Sequence, residues 1–213
     1  MISILCYGDS NTYGLNGETG KRFERSIRWT GVLQKLLGEE YYVIEEGLGG
    51  RTTVWDDPIE EYKNGKKYLL PCLESHKPID MIVIMLGTND LKLRFSVSAC
   101  DIAQGMENLI RTILKSESGR ESEPPRVLLM SPPPVGHLTG LAEILEGSEE
   151  KSRKLAAYYR DIAARYSLDF LDTGKIVVPC EADGVHLDEE NHAKLAAAVA
   201  EVILKKFNDR KIQ

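Results

Sequence analysis

Short apolar runs alternate with amphipathic stretches along the whole chain, and few folds accept that alternation. Residues 2–7 (Ile-Ser-Ile-Leu-Cys-Tyr), 41–45, 81–86 (Met-Ile-Val-Ile-Met-Leu), 126–130 and 168–171 have the length and apolar content of strands covered on both faces. The stretches between them carry helical periodicity. Residues 28–37 place Trp29, Val32, Leu33, Leu36 and Leu37 on one face, with Gly38 as a stop. Residues 60–75 are weaker, interrupted by Asn64-Gly65 and Pro71. Ser98 with Asp101 reads as a capping arrangement for a helix bearing Ile102, Met106, Leu109, Ile110 and Ile113. Ser148 is expected to cap a helix reaching Tyr166, and Asp188 to cap a last one whose inner face is Ala196, Val199, Ala200, Ile203, Leu204 and Phe207. Five strands in βα alternation demand a parallel sheet with right-handed crossovers and helices on both faces, an α/β fold.

At 213 residues the chain suits a single domain over 1–213. It has no internal repeat or low-complexity segment. Residues 116–125 read as a surface loop, and residues 132–147 as a longer connection, a lid or an oligomer contact. The net charge of −6, with no dense Lys/Arg cluster, argues against nucleic acid as a partner. No apolar run approaches the ~20 residues of a membrane span, and residues 2–7 read as a strand rather than a signal peptide. Cys6, Cys72, Cys100 and Cys180 are widely spaced, which is read as free thiols in a reducing cytoplasm.

In a parallel sheet every strand ends on the same edge, where open α/β sheets place their chemistry. Four small polar clusters fall there: Gly8-Asp9-Ser10-Asn11, Gly47-Leu48-Gly49-Gly50-Arg51-Thr52-Thr53, Gly87-Thr88-Asn89-Asp90 and Asp183-Gly184-Val185-His186. Each alone is equally a turn, a cap or a loop. Together they hold complementary groups. Ser10 needs a base to become a nucleophile. Of the four histidines, His76 precedes a strand, His137 sits in the long connection, and His192 lies inside the last helix. His186 remains, and Asp183 three residues earlier can bend back to orient it. Asn89, Gly50 and the N–H of Ser10 can donate to an oxyanion. Asp9 is assigned to holding the turn. Tyr13, Trp55 and Phe95 follow the motif loops and are candidate pocket walls.

Competing motifs fail. Gly-x-Ser-x-Gly is broken at Thr12, the phosphate-loop pattern at Leu15 and Arg22, and no Gly-x-Gly-x-x-Gly follows the first strand. His and Cys lack metal-ligand spacing, so neither cofactor nor metal is expected.

Gly-Asp-Ser10-Asn, Gly50, Gly-Thr-Asn89-Asp and Asp183-Gly-Val-His186 resemble the blocks of the SGNH hydrolase, or GDSL-type lipase/esterase, superfamily. Glu45-Glu46 stands ahead of Gly47 where the second block usually begins with Asn. Arg28-Trp-Thr-Gly, Arg51-Thr-Thr and Ser131-Pro-Pro-Pro resemble its arylesterase/acyltransferase branch. The resemblance implies a three-layer α/β/α sandwich with flavodoxin-like strand order 2-1-3-4-5. It implies a serine ester hydrolase acting through an acyl-enzyme on small acyl or aryl esters, with acyl transfer or perhydrolysis as a further outcome and a carbohydrate acetyl ester as the alternative substrate. It also implies a homo-oligomer whose contacts narrow the entrance. The alternative outside enzymes is a binding module that keeps the sheet and the loops.

Overall fold

Side chains of successive strand residues point to opposite faces, so a strand buried on both faces feeds two cores at once. In β1 (Ile2–Gly8), Ile4 and Cys6 join one apolar cluster while Leu5 and Tyr7 join another. β3 (Met81–Met85) divides in the same way, and all five of its residues are buried. The computed structural model, which describes residues 1–208, orders the five parallel strands β2-β1-β3-β4-β5, as expected. β2 (Tyr41–Gly47) and β5 (Asp169–Asp172) are the edges, and β4 (Arg126–Ser131) lies between β3 and β5.

A short turn of helix, α1 (Ser10–Tyr13), follows β1. Helices α2 (Trp29–Leu37) and α6 (Glu189–Asn208) cover one face of the sheet and pack on each other. Helices α3 (Gly65–His76), α4 (Ala99–Leu114) and α5 (Ser148–Tyr166) cover the other. The result is the three-layer α/β/α sandwich. Among the described residues no helix is long and apolar enough to cross a membrane. All four cysteines are free thiols.

Local chemistry sets the helix ends. Ser98 and Asp101 form a complete capping box, each side chain taking the other's backbone N–H. Asp188 Oδ1 accepts the Asn191 N–H at 2.8 Å and so caps α6. Asn64 caps α3 through Lys67 N–H, so the weak region at 60–75 becomes a helix from Gly65 that tolerates Pro71 inside it. Ser148 does not cap α5. The cap position is Gly147, and the buried Ser148 hydroxyl has no hydrogen-bond partner.

Candidate active site

Ser10 is the first residue of α1, immediately beyond the carboxyl end of the interior strand β1. Asp9 is the helix cap, its Oδ1 accepting the Asn11 N–H at 3.0 Å. Asn11 then reaches across the fold. Its Nδ2 donates to Val185 O at 3.3 Å, and its Oδ1 accepts the Leu187 N–H at 3.0 Å. One amide therefore grips the backbone on both sides of His186. It fixes the histidine loop to the serine turn.

The Asp183 carboxylate is used twice. Oδ1 accepts the N–H groups of Val185 at 2.8 Å and His186 at 2.9 Å, which curls the loop. Oδ2 meets His186 Nδ1 at 2.5 Å. Burial works to raise this carboxyl, but the imidazole and the two N–H donors outweigh it and hold it well below the usual carboxylate range. The curl passes through Gly184 at φ +75°, where a Cβ would collide with the carbonyl of His137. On the far side of the ring, His186 Nε2 lies 2.9 Å from Ser10 Oγ. Ser10, His186 and Asp183 thus form one hydrogen-bonded chain, with all three residues buried.

The second and third clusters are locked together beside it. Asp90 is wholly buried and accepts both the N–H and the hydroxyl of Thr53. Asn89 opens a single turn after β3, and its Nδ2 donates to Arg51 O at 3.2 Å. Arg51 is buried, donates to Gly8 O at 2.9 Å, and lies 4.1 Å from the centre of the Tyr7 ring. It braces the Gly49-Gly50 loop against the end of β1. Burial, partly offset by hydrogen bonds, pushes the Asp9 and Asp90 carboxyls up to about 6.

Ser10, Gly50, Asn89 and His186 open into one cavity of about 560 Å³. Its apolar wall includes Leu15, Ile59 and Val185, with Leu141, Ile144 and Leu145 from the 132–147 connection. Tyr13, Trp55 and Phe95 are not among its lining residues. The Tyr13 ring stacks under Arg22, at 4.3 Å, and Trp55 lines a separate cavity against α4 and α5. The Phe95 ring lies 5.9 Å from the Arg94 guanidinium. Part of the apolar wall comes instead from the long connection, whose apolar residues carry no helical or strand period that would mark their direction.

His137 lines a separate pocket, and the other two histidines have partners elsewhere. His192 is buried, its Nδ1 accepts the Trp29 N–H at 3.3 Å, and burial pushes its pKa down to about 4. His76 Nε2 lies 2.8 Å from Glu46 Oε1. Helical spacing on α3 brings Cys72 to this pair, so Glu46, Cys72 and His76 hold ligand-type atoms within 4.8 Å of one another, a juxtaposition that sequence spacing hides. None of the three lines the Ser10 cavity.

The family model of the GDSL-like lipase/acylhydrolases matches residues 6–194. An aryl esterase from M. smegmatis of known structure is 41% identical, with a TM-score of 0.92 over 96% of this chain and 99% of that one. A carbohydrate acetylesterase from Sinorhizobium meliloti is 35% identical, with a TM-score of 0.93 over the same shares of the two chains. An acetylxylan esterase from Xylanibacter ruminicola is 25% identical over 95% of this chain. The chain spans only 43% of that relative's length. By fold, by matched blocks and by these relatives, the chain belongs to the GDSL-like lipase/acylhydrolase family, the SGNH hydrolases, and is a carboxylic ester hydrolase.

Proposed function

We propose that the chain cleaves small acyl esters, acetyl-type or aryl, through an acyl-enzyme on Ser10. The observation that carries this reading is the continuous hydrogen-bond chain from Ser10 Oγ through His186 to Asp183. His186 Nε2 takes the hydroxyl proton as Ser10 Oγ attacks the ester carbonyl, and later returns it to the leaving alcohol. Asp183 holds the Nδ1–H tautomer and stabilises the imidazolium that forms. The N–H of Ser10, the N–H of Gly50 and the Asn89 amide receive the tetrahedral oxyanion. Water then attacks the acyl-enzyme carbonyl, with His186 as base, and releases the acid. An alcohol or peroxide in place of that water gives acyl transfer or perhydrolysis. None of these steps calls for a cofactor or metal.

The relatives support both an aryl ester and a carbohydrate acetyl ester as substrate. The exposed apolar side chains of Ile59, Leu93 and Ile144, close to the cavity, suit the homo-oligomer that the family resemblance implies. Labelling of Ser10 by a fluorophosphonate tests the activated serine. Turnover of a panel of aryl acetates, longer acyl esters and acetylated sugars tests the substrate. Absence of labelling in folded protein, with no turnover of any ester, would leave only the binding-module reading.

A further inference from the structure

The charged lining of the Ser10 cavity is cationic in excess. Besides His186 it consists of Lys63, Lys92 and Arg94 with one acid, Glu60. A second acid, Asp57, stands behind them with its side chain wholly buried. Asp57 Oδ2 accepts from Arg94 at 2.8 and 3.2 Å and from Lys92 Nζ at 3.4 Å. Its Oδ1 accepts the backbone N–H groups of Ile59 at 2.9 Å and Glu60 at 3.2 Å. Burial works against ionisation of Asp57, but these donors outweigh it and hold its carboxyl down to about 2. Asp57 is therefore a fixed counter-ion, and it matches only one of the cations in front of it.

Glu60 matches a second. Its Oε1 accepts from Lys92 Nζ at 2.8 Å and Arg94 Nη2 at 3.1 Å, and its Oε2 is 3.9 Å from Lys63 Nζ. Three cations against two acids leave one positive charge unmatched. The two acids differ in kind. The Asp57 side chain is 0% exposed and that of Glu60 is 41% exposed, so Glu60 is the partner that solvent can most readily replace. Glu60 also lies against the oxyanion loop, because a Cβ on Gly50 would stand 2.8 Å from its Oε2. Its carboxylate therefore occupies space next to where an ester would react.

We propose that Lys92 and Arg94, with Lys63 at the side, are a recognition site for a carboxylate carried by the ester substrate. This rests on the ester-hydrolase reading above and adds its substrate class, small anionic esters. The substrate carboxylate takes the place of Glu60 on Lys92 and Arg94, and Glu60 turns to solvent. One carboxylate replaces another on cations that are already largely stripped of water, so little further desolvation is required. The planar Arg94 fork suits such an anion better than a point charge does. A neutral ester gains none of this and must fit beside Glu60.

The test compares substrates that carry either a carboxylate or its methyl ester, with release of the phenol followed in both and each rate referred to the uncatalysed hydrolysis of the same ester. These are 4-acetoxybenzoate against methyl 4-acetoxybenzoate, and phenyl hydrogen glutarate against methyl phenyl glutarate. The wild type should favour the anion in at least one pair, by about tenfold in kcat/KM and mainly through KM, and added NaCl should shrink the ratio. R94Q and K92Q should bring the ratio towards one, R94K, which keeps the charge but not the fork, should fall between R94Q and the wild type, and E60Q, which removes the competing carboxylate, should raise it. Should R94Q or K92Q fail to fold around the buried Asp57, the exposed E60Q still decides, since an unchanged ratio there overturns the proposal. A wild-type ratio at or below one in both pairs overturns it as well. Ser10-dependent turnover of the neutral esters without charge discrimination would end this inference alone. Loss of all turnover and of fluorophosphonate labelling would end the hydrolase reading and this inference with it.

Discussion

His186 Nε2 and Ser10 Oγ stand 2.9 Å apart although the two residues are 176 positions apart in the chain. Removing the hydroxyl leaves the imidazole with nothing to activate, while the fold keeps its cap on Asp9 and the Asn11 clamp. Ser10→Ala should lower kcat on p-nitrophenyl acetate by roughly 10⁴-fold or more, leaving the oxyanion donors as the residual catalysts. Its unfolding midpoint should match that of the wild type. Activity within tenfold of the wild type would remove Ser10 from the reaction.

Asp183→Asn probes the other side of the ring. The side-chain oxygen can still accept the Val185 and His186 N–H groups, which leaves the amide NH₂ facing His186 Nδ1. Nδ1 must then accept, the proton moves to Nε2, and the nitrogen facing Ser10 is no longer a base. A loss in kcat of roughly 10³–10⁴-fold is expected, with a small loss of stability. Asp172, which ends β5, pairs instead with Arg160 at 3.0 Å and lies 3.8 Å from Lys175. Asp172→Asn should therefore keep near wild-type kcat. The reverse pattern in the two variants would reassign the role.

Asn89→Ala removes a donor whose resting partner is only a backbone carbonyl, Arg51 O at 3.2 Å. The amide is free to serve the oxyanion without breaking an ion pair. The loss should fall on kcat, by roughly 10²–10³-fold, with KM little changed. A loss confined to KM would make Asn89 a ground-state contact.

Much of the architecture was readable in the chain because interior parallel strands are buried on both faces and so appear as unbroken apolar runs. The periodicity that read α4 from Ile102, Met106 and Ile113 holds, since those side chains face the core. Ser148 misled because a hydroxyl before a helical pattern looks like a cap, while Gly147 in the left-handed region takes that position. Ser10, Asp183 and His186 were legible because each lies in a polar cluster placed by topology on one edge. Asn11 was not, because its partners are about 175 residues away and nothing local marks them. The Lys92, Arg94, Asp57 and Glu60 cluster was hidden for the same reason. Its cations and acids come from separate loops and read in sequence as ordinary surface charge.

Gly184→Ala tests how the histidine loop is held. The position requires φ +75°, and a Cβ there would press on the His137 carbonyl. A left-handed conformation costs an L-residue about 1 kcal/mol before any clash is counted. The loop should shift, lengthening the Asp183–His186 contact. The variant should lose at least about tenfold in kcat together with a measurable drop in unfolding midpoint. Wild-type kcat in Gly184→Ala would mean that the loop geometry is not what positions the imidazole.

Asp9 ties the site to the pH dependence of stability. It is buried, and its Oδ2 has no hydrogen-bond partner. Burial raises its carboxyl to about 6, against the pull of the Asn11 N–H and the charges of His186 and Arg51. In the unfolded chain an aspartate titrates near ~3.9. Between roughly pH 4 and 6 the folded state therefore binds the proton more tightly than the unfolded state. By linkage, the contribution of Asp9 to stability must fall as pH rises through that window and level off above it. Asp9→Asn removes this proton while its side-chain oxygen can still accept the Asn11 N–H. Urea unfolding of the two proteins from pH 4 to 8 should show the difference in stability moving in favour of the variant up to about pH 6 and staying constant beyond. Asp90 is raised mainly by burial and further by the charge of Asp9, so its own slope is smaller in the variant and adds to the difference in the same direction. A difference that stays flat from pH 4 to 8 would mean that Asp9 is ionised throughout, and its charge would then belong to the electrostatics of the Ser10–His186 pair.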